Sequence, residues 1–414
     1  MVQKSLGTFV YFPLMKKILL TTIVSMLFFS ACVYEPEQFI ADSSESGSAK
    51  SEIGDLYKLN GFLQVCNPSV TQDTVNYPAS MLWLNFGGKL TVNTDDSAYN
   101  TTKVIQHDRL TVTDTSNTVL WYVKADSALG DCQFQDPEWS THGAFVVTLR
   151  AYMVNEKCGR DLDYGIVAIR MSDKKRFTFY SDSISEQATP HLWVDPSAKI
   201  DTTADASTIE GFFGTNNVRL TYVDEKEGIK FVDFSGVKSE KDLKKALANP
   251  KKMKMPADIG SGYIESPLLS PDGNFVVYNV VEKTKTGWNS YVQQVSENSS
   301  PVLMEKQSGM MSMPAQPHWF AYEGRTFVLW AEFPSGEMMT GQQDDLSEVS
   351  MHDGSGGRTA MREVSLMADA PADLAVEWIG DTREVAPVPM IGGRSSDGRF
   401  LATGDSKAFL LKLP

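Results

Sequence analysis

The most constraining feature of the sequence is a short phrase that recurs along it. The clearest copy runs from Pro267 to Tyr278 and contains Ser-Pro-Asp-Gly (270–273) followed by Asn-Phe-Val-Val-Tyr. An offset of 130 residues places the segment from Pro137 to Thr148 over it without a gap, matching its Pro, Ser, Gly and Phe-Val-Val. Partial copies contain Pro317 and Ser395, and weaker echoes begin at Pro78 and Pro190. Internal repetition of this kind indicates a fold assembled from similar units.

The residue types in the phrase predict a turn followed by a strand. Gly after Asp permits a positive φ, and the Asp side chain can bond the local backbone, so Asp-Gly is typical of tight turns. β-Branched and aromatic runs bounded by turn residues occur along most of the chain, which predicts an all-β protein. Examples are residues 109–113, 118–123, 176–180, 217–223 and 229–234. Helical periodicity is convincing once, at 239–248.

Ser-Pro-Asp-Gly followed by a buried strand resembles the repeat of TolB-like β-propellers, and the resemblance extends from about Tyr77 to Pro414. It implies blades of four antiparallel strands, with the phrase leading into the innermost strand. The spacing of the copies predicts about six blades, within a range of five to seven. A β-sandwich with coincidental Asp-Gly turns is the alternative.

The end of the chain predicts how the ring closes. About sixteen residues follow Gly398, which is enough for two strands only. We therefore expect strands from the start of the chain, around Leu56–Val65, to complete the last blade. Closure of this kind removes exposed sheet edges.

The N-terminus is typical of a bacterial lipoprotein. From Met15, which is a possible true start, two lysines precede an apolar run too short to span a bilayer comfortably. The run ends in Phe-Ser-Ala-Cys, which resembles the lipobox in which the cysteine, here Cys32, is lipidated. An ordinary signal peptide with a chance cysteine is the alternative. The predicted divisions are a signal peptide at 1–31, the lipidated Cys32 with a polar tether at 32–54, and the propeller at 55–414. Val33 is not Asp, which favours the outer membrane.

The remaining three cysteines allow at most one intramolecular disulfide. Extracytoplasmic compartments are oxidising, so disulfides persist there. Cys132 and Cys158 flank a predicted hairpin and form the favoured pair, which leaves Cys66 unpaired. Three buried thiols are the alternative.

Motifs of catalysis are absent from the sequence. It contains no Gly-x-Ser-x-Gly elbow and no phosphate-binding Gly-Lys-Ser/Thr loop, and its five histidines are scattered without metal-ligand spacing. We therefore predict no catalytic residues, no metal and no cofactor. A propeller glycosidase would need two carboxylates across a central pocket. Candidates on or beside inner strands are Asp136, Glu138, Asp195, Glu265 and Glu332.

Two Pro-His segments provide the candidate ligand-facing residues. Each histidine follows a proline at the predicted entry to a blade and precedes a tryptophan within two residues. A ligand pocket on the axial face would use these side chains, whereas structural packing at the rim explains them equally well. The four residues are His191, Trp193, His318 and Trp319.

The net charge of the chain excludes one class of partner. The net charge of −14 excludes binding to nucleic-acid phosphates, which needs clustered cations. One basic island, built from lysines between 241 and 254, faces either anionic lipid headgroups or only solvent.

These observations predict a lipid-anchored protein of the bacterial cell envelope. Its propeller is expected to be a non-catalytic module that binds a protein partner. A carbohydrate-binding propeller is the alternative, followed by a propeller glycoside hydrolase.

Overall fold

The structure is a computed structural model. It describes residues 50–51, 54–87, 90–100, 105–154, 158, 162–257, 259, 262–282, 287–304, 311–334, 358–371, 374–386, 391–403 and 408–414. The predicted signal peptide, Cys32 and most of the predicted tether lie outside these residues.

The described residues form a six-bladed β-propeller of four-stranded antiparallel sheets, as predicted. Blade 1 comprises β3 (Val65–Val70), β4 (Ser80–Asn85), β5 (Arg109–Asp114) and β6 (Val119–Lys124). Blade 2 comprises β7 (Asp131–Trp139), β8 (Phe145–Tyr152), β9 (Asp163–Arg170) and β10 (Arg176–Ile184). Blade 3 comprises β11 (His191–Val194), β12 (Val218–Asp224), β13 (Gly228–Asp233) and β14 (Lys251–Lys252).

The second half of the chain repeats this order. Blade 4 comprises β15 (Tyr263–Leu269), β16 (Phe275–Glu282), β17 (Gly287–Gln294) and β18 (Val302–Leu303). Blade 5 comprises β19 (Met311–Tyr322), β20 (Arg325–Pro334), β21 (Arg358–Leu366) and β22 (Val376–Ala386).

Blade 6 is built from both ends of the chain, as the short remainder after Gly398 predicts. Its strands are β23 (Phe400–Thr403), β24 (Phe409–Lys412), β2 (Gly54–Lys58) and β1 (Lys50–Ser51), in that order from the axis outward. The register of the closing pair sets Tyr57 opposite Leu410. The closing strand β2 begins slightly before the predicted segment, and Val65 instead opens blade 1.

The inner strands of the six blades are β3, β7, β11, β15, β19 and β23, and those of neighbouring blades contact one another at most junctions. The Ser-Pro-Asp-Gly turn lies after the innermost strand, between β15 and β16, and leads into the second strand. The expectation that the phrase leads into the innermost strand is therefore wrong. Unlike the innermost strand, the second strand has a hydrogen-bonded neighbour on each side, and its residues Phe275–Val277 are fully buried.

Apolar side chains fill the spaces between adjacent blades. The largest cluster joins blades 2 and 3 and includes Phe145, Phe177 and Phe179. The short helix α1 (Ile209–Phe213) adds Phe212 and Phe213 to it.

The predicted helix is present as α2 (Glu240–Ala248), inserted between β13 and β14. Ser239 caps it, since its hydroxyl accepts a hydrogen bond from the Asp242 N–H at 3.2 Å. Its apolar stripe, Leu243, Ala246 and Leu247, packs against the blade 2–3 cluster. None of the described helices is long and apolar enough to cross a membrane.

Candidate functional site

A repeated backbone feature marks the inner strands. In five blades a polar residue directly before a proline has a positive φ, between +37° and +51°. Positive φ is uncommon outside glycine, and residues before proline normally adopt extended backbone. The strand ladder shifts register at this point in blades 1, 2, 4 and 5, so each of these inner strands bulges. We call these residues the axial ring: Asn67, Asp136, Thr189, Ser266 and Gln316.

Neighbouring blades are joined by hydrogen bonds from the axial ring. Asn67 Nδ2 donates to Asp136 Oδ1 at 2.8 Å, which links blades 1 and 2. The Ser266 N–H donates to Thr189 Oγ1 at 3.1 Å, which links blades 3 and 4. Four of these residues lie on innermost strands and Thr189 lies two residues before β11, and all five side chains remain half-buried. The result is a circle of amide, hydroxyl and carboxyl groups.

The strand β7 adds a second carboxyl beside Asp136. Glu138 accepts a hydrogen bond from the Ser69 hydroxyl of blade 1, and that hydroxyl also accepts from the Trp139 N–H at 3.2 Å. Asn67–Asp136 and Ser69–Glu138 thus form two successive polar pairs across one junction between blades.

Burial changes the protonation of both carboxyls. It raises the pKa of Asp136 to about 7, with a further contribution from the negative charge of Glu186. It raises the pKa of Glu138 to about 8, although hydrogen bonds from Ser69 and the Trp139 N–H oppose the shift. At mildly acidic pH, below these pKa values, both groups therefore hold protons and can donate as well as accept hydrogen bonds.

The two predicted histidines belong to the wall between blades. His191 on β11 is buried and accepts a hydrogen bond at Nδ1 from the Leu269 N–H of blade 4, at 2.8 Å. His318 on β19 is buried and its Nδ1 lies 2.8 Å from the Gln316 carbonyl oxygen. Burial lowers the pKa of His191 to about 3, with His318 contributing, and that of His318 to about 4. Both imidazoles are therefore neutral and have backbone partners.

The two predicted tryptophans also connect blades. Trp193 is buried and its indole N–H donates to the Pro271 carbonyl of blade 4 at 2.8 Å. Trp319 is half-buried and donates to the Leu268 carbonyl of blade 4 at 2.8 Å. All four side chains thus have hydrogen-bond partners within or between blades, and their role as ligand-facing residues stays a prediction.

Three of the five candidate carboxylates lie on innermost strands, namely Asp136, Glu138 and Glu265. Gln316 Nε2 lies 3.5 Å from Glu265 Oε2, which places Glu265 beside the axial ring. Asp195 follows β11, and its carboxylate accepts a hydrogen bond from the Ser197 N–H. Glu332 lies on the second strand of blade 5, where Arg358 neutralises it at 2.7 Å.

The described cysteines comprise one disulfide and one thiol. Cys132 and Cys158 form a disulfide bond, with Cα atoms 5.4 Å apart. Cys66 is a buried thiol that is not part of this disulfide. Within the part of the chain that the structure describes, no group of three or more His, Cys, Asp or Glu side chains is placed to hold a metal ion.

Sequence reasoning missed the axial ring, although a signal for it is present. The signal is the polar residue directly before each proline. The dipeptides Asn-Pro, Asp-Pro, Thr-Pro, Ser-Pro and Gln-Pro occur at the corresponding position in five of the six blades. The aligned proline of blade 1 is Pro68, not Pro78.

Comparisons with known proteins found similarities among solved structures. No family model matches the chain, and no curated protein matches it. A solved structure of a putative TolB from Agrobacterium tumefaciens is similar, with 11% identity, 87% of this chain and 97% of that one covered, and a TM-score of 0.39. An oligogalacturonate lyase in complex with manganese shares 12% identity over 85% of this chain and 78% of its own, with a TM-score of 0.38. A GH43 endo-arabinanase from Bacillus licheniformis shares 9% identity over 75% and 97%, with a TM-score of 0.35.

Proposed function

We propose that this chain is a binding protein of the bacterial cell envelope that recognises a protein partner through the axial ring, without covalent chemistry. The observation that carries the proposal is the circle of half-buried amide, hydroxyl and carboxyl groups on the inner strands. Such groups present donors and acceptors on a rigid scaffold, as recognition of a polypeptide segment requires.

The burial of the tryptophan side chains favours a polypeptide ligand over a sugar. Sugar recognition by aromatic stacking would need exposed rings near the axis. Trp83, Trp139 and Trp193 are buried, and Trp319 is half-buried with its N–H bonded to a neighbouring blade. The axial ring itself contains hydrogen-bonding groups that match peptide amides.

The envelope location comes from the sequence and is supported by one structural feature. The lipobox-like Phe-Ser-Ala-Cys supports Cys32 as a lipid anchor, with palmitate among its acyl groups, and Val33 in place of Asp supports the outer membrane as its location. A disulfide between Cys132 and Cys158 suits an oxidising extracytoplasmic compartment. Incorporation of radiolabelled palmitate that is lost in Cys32→Ala tests the anchor.

Co-purification from detergent-solubilised envelope tests the binding role. Glu138→Leu removes a hydrogen-bonding group beside Asp136 of the axial ring at nearly constant size, and Glu297→Leu makes the same change at an exposed site. We expect a protein partner that is recovered with the wild type and Glu297→Leu and at least tenfold less with Glu138→Leu. Equal recovery with both variants would overturn the axial assignment.

Carbohydrate binding is the second candidate, because protonated carboxyls, amides and hydroxyls also suit a neutral polyol. Retention on a glycan array, together with failure to recover any protein partner, would replace the proposal with this one. Glycan hydrolysis that disappears in Glu138→Gln would instead assign Glu138 as a general acid, for which a raised carboxyl pKa is suited.

A further inference from the structure

The outer edge of blade 3 carries a dense group of lysines. Residues 238–254 contain seven lysines and two acids, a local net charge of +5 in a chain of net charge −14. All seven are exposed. We call them the blade 3 lysine surface: Lys238, Lys241, Lys244, Lys245, Lys251, Lys252 and Lys254.

The two acidic side chains of this segment already have partners within it. Glu240 pairs with Lys244 at 2.6 Å, one turn along α2. Asp242 accepts hydrogen bonds from the Ser239 hydroxyl at 2.7 Å and the Lys238 N–H at 3.3 Å, as part of the helix cap. Lys244 is the only one of the seven with an ion pair among the described residues. Six of the seven lysines therefore have no ion-pair partner among the described residues, and the segment keeps a net charge of +5.

The framework beneath the lysines is fixed. The apolar stripe of α2 packs inward, and Tyr180 Oη donates to the Leu247 carbonyl at 3.0 Å. The outermost strand β14 pairs with β13, which sets Lys251 opposite Phe231 and Lys252 opposite Lys230. Both elements therefore hold their exposed lysines at the outer edge of blade 3.

We propose that the blade 3 lysine surface binds the anionic headgroups of a lipid bilayer. It lies on the outer circumference of the ring, where a broad planar surface of opposite charge can be met by many lysines at once. Each lysine close to such a membrane contributes about 1 kcal/mol. The segment offers no exposed large apolar side chain for insertion, so the attraction is electrostatic and falls with added salt.

Vesicle sedimentation tests the proposal with the full chain carrying Cys32→Ala, which removes any acyl anchor. The probes are vesicles of pure phosphatidylcholine and vesicles with 30% phosphatidylglycerol, at low and high salt. The difference between the two compositions isolates electrostatic binding from any apolar contact of the N-terminal run. We expect binding to the anionic vesicles that high salt reverses.

Two matched triple variants locate the binding surface. Lys241→Gln, Lys245→Gln and Lys252→Gln together should weaken anionic-vesicle binding roughly tenfold or more. Lys58→Gln, Lys199→Gln and Lys226→Gln remove the same charge from exposed sites elsewhere and should weaken it less than threefold. Circular dichroism checks that both variants fold.

Three outcomes would overturn the proposal. They are equal binding to both vesicle types, equal losses in both triple variants, and binding to polyglutamate without binding to vesicles. The last would assign the surface to an acidic polypeptide. None of them affects the axial assignment, because Glu138 and the blade 3 lysine surface are tested by separate variants.

Discussion

At the scale of single residues, the two carboxyls on β7 hold protons at pH values where free carboxyls are ionised. Asp136 and Glu138 face Asn67 and Ser69 across one junction, and burial raises the pKa of both. A polar pair of this kind joins two blades as long as the protons stay in place. Ionisation leaves buried negative charge without a cation, which costs free energy.

This protonation predicts a specific dependence of stability on pH. Between about pH 4 and pH 8 the folded state binds more protons at these sites than the unfolded state, so the free energy of unfolding falls as pH rises. The double variant Asp136→Asn, Glu138→Gln should lose this part of the decline. We expect it to be more stable than the wild type at pH 9 by about 2 kcal/mol per replaced carboxyl.

Urea unfolding at pH 5 and pH 9 measures this effect. Glu297→Gln, at an exposed site, should follow the wild type at both pH values. Parallel pH profiles for the wild type and the double variant would contradict the assignment of raised pKa values to this pair.

A second residue-scale prediction compares two buried tryptophans. The Trp193 indole N–H donates to the Pro271 carbonyl, whereas the Trp139 indole N–H has no partner among the described residues. Replacement by Phe removes a similar volume from each site. Trp193→Phe should therefore lower the free energy of unfolding by about 1–2 kcal/mol more than Trp139→Phe. Chemical denaturation of both variants is the measurement, and the reverse order would contradict these hydrogen-bond assignments.

At the scale of elements, the repeated turn combines a backbone requirement with a contact between blades. Gly273 has a φ of +71°, and a Cβ added there would lie 2.5 Å from the Trp193 ring of blade 3. Gly324 has almost the same φ, +73°, with nothing within 4 Å of the added atom. The two glycines therefore separate the cost of the left-handed backbone from the cost of the contact.

Gly324→Ala should cost about 1 kcal/mol of stability, the price of a left-handed backbone. Gly273→Ala should cost about 2 kcal/mol more, because the methyl group must displace a packed indole ring. Thermal unfolding of the two variants measures the difference. Equal losses would show that the turn of blade 4 does not pack against Trp193.

Strands, turns and the helix α2 are the features that the sequence predicts best. Asp-Gly turns, β-branched runs and the Ser239 cap are local signals, and local signals determine strands, turns and α2. The positive φ of the axial-ring residues could not be predicted from local signals, because a polar-Pro dipeptide alone does not impose it. That conformation depends on the bulge of the inner strand and on partners in the next blade, such as Asn67 for Asp136. His191 and Trp193 were open to two roles for the same reason, because their partners lie about 78 residues away.

At the scale of the whole molecule, stability depends on the closing blade. Leu410 on β24 is fully buried in the cluster that joins blades 6 and 1. Leu410→Asp places an unpaired charge there and should cost at least about 4 kcal/mol. Leu303→Asp makes the same change at a residue 43% exposed on the outer strand of blade 4, and should cost less than about 1 kcal/mol.

Denaturant unfolding, followed by tryptophan fluorescence and far-ultraviolet circular dichroism, tests this prediction. Both signals should move together in Leu410→Asp, because opening one junction releases the strands of its neighbours. A loss confined to blade 6, with fluorescence unchanged, would show that the ring tolerates an open junction.

The two strands of the closing pair are synthesised far apart in time. A ribosome makes β2 roughly 350 residues before β24, its partner in blade 6. Until the final strand emerges, β2 cannot form its native pairing with β24, and contacts so distant in sequence form slowly. Completion of the ring therefore follows the synthesis of β24. Until then, the edge of β2 that β24 covers in the native ring stays unpaired, and an unpaired strand edge is a template for pairing with other chains.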